Sequence, residues 1–177
     1  MKALSAMNQS ELGAYVQSQR LQQGIDTVLS GGAAVAAYTS GAYVTHHIDL
    51  VNRSLTRRAL IKKAMKELGF REEGRHFKHP ETPFLVEFPS GPLTVGDEAI
   101  QEIEEIKLQT GTLRVISRTD SVKDRLAWFY HSGDRQCLSQ AVLIAQQGGV
   151  DLRSVEAWSR AEGKSREYAL FRKQLGK

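Results

Sequence analysis

The sequence has 177 residues, 41% of them apolar and 25% charged, which is the composition of a water-soluble protein with one well-buried core. No apolar run approaches the roughly 20 residues that a membrane-spanning helix needs, so we expect no membrane partner. The net charge of +4 is modest, and basic and acidic residues cluster in separate segments, which argues against a uniformly basic nucleic-acid-binding protein.

Cysteine usage and the first residues bear on the cellular compartment. The single cysteine, Cys137, cannot form a disulfide within the chain, as is typical of proteins in a reducing cytoplasm. The sequence opens without an apolar stretch of signal-peptide length. We therefore expect a cytoplasmic protein. Cys137 lies in helical sequence, where a thiol usually belongs to the core, and a nucleophilic role is the alternative.

Helices and strands alternate along the first two thirds of the chain. Apolar residues near helical spacing predict a helix from Ser10 to Gln23, which Gly24 ends. A β-prone run over 26–30 then leads into a glycine pair and an alanine-rich helix that reaches Tyr38. The further elements predicted here are a strand over 43–51, an amphipathic helix over 54–68, strands over 70–78 and 83–88, and a β-pair over 103–108 and 112–116.

The last third of the chain has a helical pattern throughout. It predicts helices over 121–130, 134–147, 151–161 and 165–175. The chain therefore divides near Arg118. We expect an α/β (α+β) fold in which residues 1–118 form a mixed sheet with flanking helices and residues 119–177 form a C-terminal helical bundle packed on it.

Gly31 and Gly32 stand between a predicted strand and a predicted helix. Glycines at such a turn let a ligand approach the backbone closely. The start of the helix offers unpaired N–H groups and the positive end of the helix dipole to a phosphate. The pair is therefore a phosphate-binding candidate, and a tight turn without a ligand is the alternative.

The strand that follows carries His46, His47 and Asp49. Residues two apart on a strand share a face, so His47 and Asp49 point one way while Ile48 and Leu50 point the other. An acid on a neighbouring strand would complete a set of metal ligands. A structural role for Asp49, as a cap or an ion-pair partner, is the alternative.

Together these segments resemble the signature of the nucleotidyltransferase superfamily. That signature is a Gly-Gly or Gly-Ser turn followed by a strand with two carboxylates separated by one apolar residue. The branch that this sequence looks like is the abortive-infection (AbiEii-like) type with its small relatives. The matching residues are Gly31, Gly32, Ala34, Tyr38, Thr45, Ile48, Asp49 and Leu50.

The resemblance implies a cofactor, a substrate and further site residues. It implies Mg²⁺ (or Mn²⁺) as the metal and an NTP as the substrate. Glu87 resembles the third carboxylate of the superfamily. The catalytic and metal-binding residues would then be His47, Asp49 and Glu87. Lys123 would join the glycine pair in binding the nucleotide by neutralising the triphosphate.

The sequence departs from the family pattern at several positions. His47 stands where the family has its first Asp, and Tyr43 stands where relatives often have Arg. A carboxylate can bridge two magnesium ions, whereas a neutral imidazole offers one nitrogen lone pair, and magnesium prefers oxygen. Gln136-Cys137 replaces a later Lys-Asp pair.

Histidines and basic residues elsewhere have alternative interpretations. The pair His46-His47 with Asp49 could form a site for zinc, manganese or iron, although adjacent residues on a strand face opposite sides. His76 and His79 lie in a predicted polar hairpin and are expected at the surface. The basic face of the helix over 54–68 is most simply a solvated surface, and an RNA-binding face is the alternative.

Three functional hypotheses follow. The first is metal-dependent transfer of an NMP from an NTP to an RNA end, such as that of tRNA, or to a protein hydroxyl. The resemblance would place this activity in a toxin–antitoxin or defence setting, with a cognate antitoxin as partner. The second is a catalytically degenerate relative that binds a nucleotide or a protein partner. The third is an RNA-binding or scaffold protein unrelated to this superfamily.

Overall fold

The structure is a computed structural model that describes residues 2–100 and 102–176. No helix in these two ranges combines the length and apolar character needed to cross a membrane. The helices are α1 (Gln9–Leu21), α2 (Gly31–Tyr38), α3 (Arg58–Glu67), α4 (Arg118–Ser132), α5 (Arg135–Gln146), α6 (Leu152–Ala161) and α7 (Ser165–Leu175). The strands are β1 (Thr27–Ser30), β2 (His47–Asn52), β3 (Arg71–Glu73), β4 (His76–Lys78), β5 (Leu85–Glu87), β6 (Thr94–Val95), β7 (Glu98–Ala99), β8 (Ile103–Leu108) and β9 (Gly111–Ile116).

Seven strands form one mixed sheet in the order β3-β4-β5-β2-β1-β9-β8. The pairs β2–β5 and β1–β9 are parallel, and the other neighbours are antiparallel. Strands β6 and β7 form a separate two-stranded hairpin. The predicted mixed α/β fold with a helical C-terminal part is therefore confirmed.

Helix α1 covers the apolar face of the sheet. A capping box fixes its start, in which Asn8 accepts from the Glu11 N–H and the Glu11 side chain accepts from the Asn8 N–H. A Cβ added to Gly13 would lie 3.2 Å from Leu113 and 3.7 Å from Ile48, so the helix approaches the strands closely. The buried side of β2 and β9 is thus the side that α1 packs against.

The C-terminal helices continue the same core. Helix α4 packs against α2, α5 and α6, and α5 also contacts α2. The Ser117 side chain caps α4 by accepting from the Asp120 N–H, and Gly133, with φ of 73°, ends it. The predicted division near Arg118 coincides with the start of α4. One hydrophobic cluster nevertheless extends from the sheet into α4–α7.

The predicted strand over 43–51 begins only at His47, the β6–β7 hairpin was not predicted, and two further elements differ from their predictions. The predicted strand over 70–78 is a hairpin of β3 and β4, because the chain turns back at Gly74, where φ is 61°. The predicted helix over 54–68 begins only at Arg58, because Leu55 has φ of 52° and a side chain that is 74% exposed. The hairpin matters for the site, because it places β4 beside β5 on the edge away from β2.

Candidate active site

Two carboxylates meet on one face of the sheet. Asp49 on β2 and Glu87 on β5 are register partners in the parallel pair. Partners in register point to the same side of a sheet. Ile48 and Leu50, which are completely buried, occupy the opposite face of β2. The structure therefore brings Asp49 and Glu87 together, with His47 on the same face two residues earlier.

The glycine turn lies directly against this pair. Ser30, the last residue of β1, pairs with Asp49, and α2 starts at the next residue. Gly31 has φ of 67°, and a Cβ there would lie 2.9 Å from Asp49 Oδ2 and 3.8 Å from Arg125 Nη2. Only glycine fits this position without strain or displacement of the carboxylate. The N-terminus of α2 and the Asp49 carboxylate thus share one small volume.

The surroundings of Asp49 destabilise the ionised form of its carboxyl group. Burial is the largest cause of a raised pKa for this carboxyl, and the nearby Glu87 carboxylate raises it further. His47 and Arg125 act in the opposite direction but do not cancel the shift. Such a carboxylate gains stability when a cation binds beside it.

A buried positive charge close to Asp49 comes from Arg125 on α4. The guanidinium of Arg125 donates to Asp124 Oδ2 at 2.6 Å and to Gln140 Oε1 at 3.4 Å, and its side chain is only 11% exposed. Sequence reasoning missed this residue, although a signal exists. Arg125 falls within the buried stripe of α4, next to Leu126 and four residues before Phe129, where a charged side chain is uncommon without a partner.

Lys123, the predicted nucleotide-binding lysine, points elsewhere. Its ammonium donates to Glu98 Oε2 at 2.7 Å, on the β6–β7 hairpin. Positions 123 and 125 on an α-helix are about 200° apart around the axis, so they cannot face the same site. The structure thus brings Arg125 to Asp49 and leaves Lys123 away from it.

A second histidine joins His47 and Glu87. His76 on β4 is the antiparallel register partner of Glu87. The rings of His47 and His76 lie 5.0 Å apart between centroids, and His76 Nε2 is 3.5 Å from Glu87 Oε2. Ligand atoms of these three residues all lie within 4.8 Å of one another. They are the one group of three potential metal ligands found in residues 2–100 and 102–176.

The other histidines of these segments are outside the group. The prediction that His76 and His79 lie at the surface is wrong for both, because each is partly buried, and the His76 side chain is only 20% exposed. His79 packs on Phe70, with ring centroids 5.1 Å apart. His46 is exposed and neighbours Phe84. The hairpin register selects His76, and sequence spacing alone does not reveal it.

Comparison with solved structures shows what this architecture is similar to. An antigenic nucleotidyltransferase-like protein from Paracoccidioides brasiliensis superposes with a TM-score of 0.62 at 14% identity, over 93% of this chain and 92% of that one. The solution structure of the antibiotic-resistance factor ANT(2'')-Ia gives 0.51 at 18% identity, over 92% and 95%. The crystal structure of ANT(2'')-Ia with adenylyl-2''-tobramycin gives 0.50 at 16% identity, over 90% and 94%.

The chain has a nucleotidyltransferase fold. No protein-family model matches the sequence. No curated protein matches it either. At these identities the similarity concerns the fold, and the abortive-infection branch stays a prediction.

The three clustered ligands His47, His76 and Glu87 differ from the magnesium-binding set that the resemblance implies, and they suit magnesium poorly. Magnesium prefers near-octahedral oxygen ligands, and carboxylates and water usually supply them. Here two of the three clustered groups, His47 and His76, offer nitrogen, and only Glu87 offers oxygen. Asp49 lies beside this group and is not part of it. The donor set matches metals that accept imidazole.

Cys137 lies close to Arg125, but its burial outweighs the effect of this positive charge on the thiol. Its sulfur lies 3.8 Å from Arg125 Nη1 and is within hydrogen-bonding distance of Asp134. Burial raises the pKa of the thiol to about 11, so the reactive thiolate is scarce at neutral pH. The core interpretation of Cys137 therefore agrees with the structure.

Proposed function

We propose that this protein binds an NTP and transfers its nucleoside monophosphate to a hydroxyl group. The observation that carries the proposal is the pairing of Asp49 with Glu87 on one sheet face, directly against the glycine turn at the start of α2. This arrangement puts acids and a phosphate-binding helix terminus in the same volume. It is the combination that nucleotidyl transfer requires.

Phosphate binding would use groups on α2 and α4. The N-terminus of α2 offers backbone N–H groups that no preceding turn of helix satisfies. Arg125 supplies a permanent positive charge beside Gly31, within reach of the same volume. The guanidinium of Arg125 has more N–H donors than Asp124 uses, so the triphosphate would accept from a remaining donor while the Asp124–Arg125 ion pair stays in place.

The chemical step is a substitution at the α-phosphorus. The oxygen of the acceptor hydroxyl forms a bond to this phosphorus, and the bond from phosphorus to the bridging oxygen of the β-phosphate breaks. Pyrophosphate leaves with the bonding electrons. Asp49 is the acid nearest the turn, so we assign it the hydroxyl proton. Glu87, the register partner of Asp49, and His47 lie on the same sheet face beside it.

Three classes of molecule could supply the hydroxyl group that accepts the nucleoside monophosphate. An RNA end and a protein hydroxyl are the acceptors that the sequence resemblance implies. A small-molecule hydroxyl is the third class. ANT(2'')-Ia, which was crystallised with adenylyl-2''-tobramycin, matches almost the whole length of this chain. A tRNA acceptor and a cognate antitoxin remain predictions of the resemblance.

The test is transfer of label from α-³²P-labelled NTPs. The purified protein is incubated with each NTP, with Zn²⁺, Co²⁺, Mn²⁺ or Mg²⁺, and with total RNA, lysate protein or an aminoglycoside. We expect one acceptor class to become labelled. Asp49→Asn should reduce labelling by at least about 100-fold, as loss of a single transition-state group does. The matched control is Asp97→Asn, because Asp97 is exposed on the β6–β7 hairpin.

A nucleotide-binding protein without transferase activity is the second candidate. Two observations favour it: His47 replaces one acid, and Arg75 Nε already lies 3.4 Å from Glu87 Oε2. This candidate predicts NTP binding by calorimetry together with no labelled acceptor under any of the metals. His47→Asp distinguishes the two further, because gain of labelling would show that only the metal ligands differ from an active site.

A further inference from the structure

The face that carries Glu87 holds a cluster of metal-ligating side chains unlike the one the sequence predicted. We infer that His47, His76 and Glu87 form a binding site for one divalent transition metal of the Zn²⁺, Co²⁺ or Fe²⁺ type, and that this site discriminates against Mg²⁺. The inference does not depend on nucleotidyl transfer, because metal binding is measured without nucleotide or acceptor. It assigns to His76 a role that the sequence did not suggest.

The three ligands come from three neighbouring strands. Glu87 is on the middle strand, His76 is its register partner on β4, and His47 is on β2 at the level of Leu85. The sheet therefore fixes all three backbones. Gln9 also donates to the backbone oxygen of His47 at 2.8 Å, which ties this position to α1.

The spacing suits a single ion with little movement. Two ligands at 2.0–2.2 Å from one metal are separated by roughly 3.0–3.5 Å in tetrahedral or octahedral geometry. His76 Nε2 and Glu87 Oε2 are already 3.5 Å apart, and all ligand atoms of the group lie within 4.8 Å. Rotation of the His47 side chain would then bring its ring nitrogen to the same ion. Two imidazoles and one carboxylate leave coordination positions open for water or substrate.

Chemistry decides which metal this set accepts. Imidazole nitrogen binds zinc, cobalt and iron well, whereas magnesium keeps water or carboxylate oxygen in preference to nitrogen. Asp49 stays beside Gly31 and outside the group of three, so it is not needed to hold the ion. It contributes a nearby negative charge.

Arg75 is the group that a bound metal must displace. Its Nε lies 3.4 Å from Glu87 Oε2 and 3.3 Å from His76 Nε2, so the guanidinium occupies the position between two ligands. The side chain is 72% exposed and can swing into solvent. Removing it should therefore strengthen metal binding, a result that a purely structural role for these histidines does not predict.

The experiment measures metal binding to the whole chain. The apoprotein is dialysed against Zn²⁺, Co²⁺ or Mg²⁺, and bound metal is counted by mass spectrometry and titrated by calorimetry. We expect one Zn²⁺ or Co²⁺ per chain, undiminished by a large excess of Mg²⁺. His47→Ala, His76→Ala and Glu87→Gln should each weaken binding by at least about 100-fold, the upper end of the loss for an outer-shell partner. The matched control is the exposed neighbour His46→Ala, which should bind as the unmodified chain does.

Two further measurements keep the inference open to refutation if a variant folds poorly. The visible spectrum of Co²⁺ bound to the unmodified chain should show coordination by nitrogen and oxygen without sulfur. Arg75→Ala, at a surface position, should tighten binding several-fold. Absence of Zn²⁺ and Co²⁺ binding, equal competition by Mg²⁺, or equal loss in His46→Ala would each overturn the inference. Metal binding without any labelled acceptor would support it while the proposed transfer fails.

Discussion

Replacement of Gly31 by alanine tests whether the turn and the Asp49 carboxylate depend on each other. The new side chain meets two penalties. An L-residue at φ of 67° costs about 1–2 kcal/mol in the left-handed region. In addition, the Cβ would lie 2.9 Å from Asp49 Oδ2, closer than carbon and oxygen approach without displacement. Overpacking of this kind typically costs about 1–3 kcal/mol.

Gly24→Ala separates the two penalties. Gly24 has a similar φ of 75°, and nothing lies within 4 Å of its added Cβ among the described residues. Gly24→Ala therefore carries only the backbone cost. For a chain of this size, each kcal/mol lowers Tm by roughly 2–4 °C, so Gly31→Ala should melt roughly 2–12 °C below Gly24→Ala. Differential scanning calorimetry at matched pH and salt measures this difference.

A double-mutant cycle identifies the cause of the extra loss. Asp49→Ala removes the oxygen that the new Cβ meets, so Gly31→Ala should cost less in that background than in the unmodified chain. The expected coupling is about 0.5–3 kcal/mol, the range for residues in contact. Equal melting of the two glycine variants, or a coupling near zero, would refute the account of Gly31 as the residue that makes room for Asp49.

Three further predictions concern other charged and reactive groups. Arg125→Gln should weaken NTP binding by about tenfold or more in calorimetry, whereas Lys123→Gln should leave it unchanged, because the latter ammonium faces Glu98. Hydrogen bonds from Lys2 and the Asn8 backbone lower the pKa of Glu11 below its usual 4.5. The ionised carboxylate therefore stabilises the fold above pH 4.5, and this stabilisation is lost as the pH falls through the lowered pKa. Glu11→Gln should accordingly cost about 0.5–2 kcal/mol in urea unfolding at pH 7 and progressively less as the pH is lowered into the acid range; a cost that does not change with pH would contradict this. The pKa of about 11 for Cys137 predicts that iodoacetamide alkylation of the folded chain is slow at pH 7 and rises about tenfold per pH unit up to pH 10, and a plateau near pH 8 would contradict the buried-thiol assignment.

The sequence by itself determined most of the element order, apart from the β3–β4 and β6–β7 hairpins, and one face of the site. Period-two alternation on β2 places His47 and Asp49 opposite Ile48 and Leu50, because successive side chains on a strand alternate whatever surrounds them. The glycine pair predicted the strand-to-helix turn for an equally local reason. Few residues other than glycine tolerate the positive φ that Gly31 adopts there. These inferences hold because they depend on near neighbours in the chain.

Only the tertiary structure decided which distant residues join that face. Strand register between β4 and β5 sets His76 against Glu87, and a shift of one residue would turn the imidazole to the other side. The rotation of α4 about its axis sets Arg125 toward Asp49 and Lys123 toward Glu98. Register and helix rotation are fixed by packing of the whole core, which no local pattern of residues encodes.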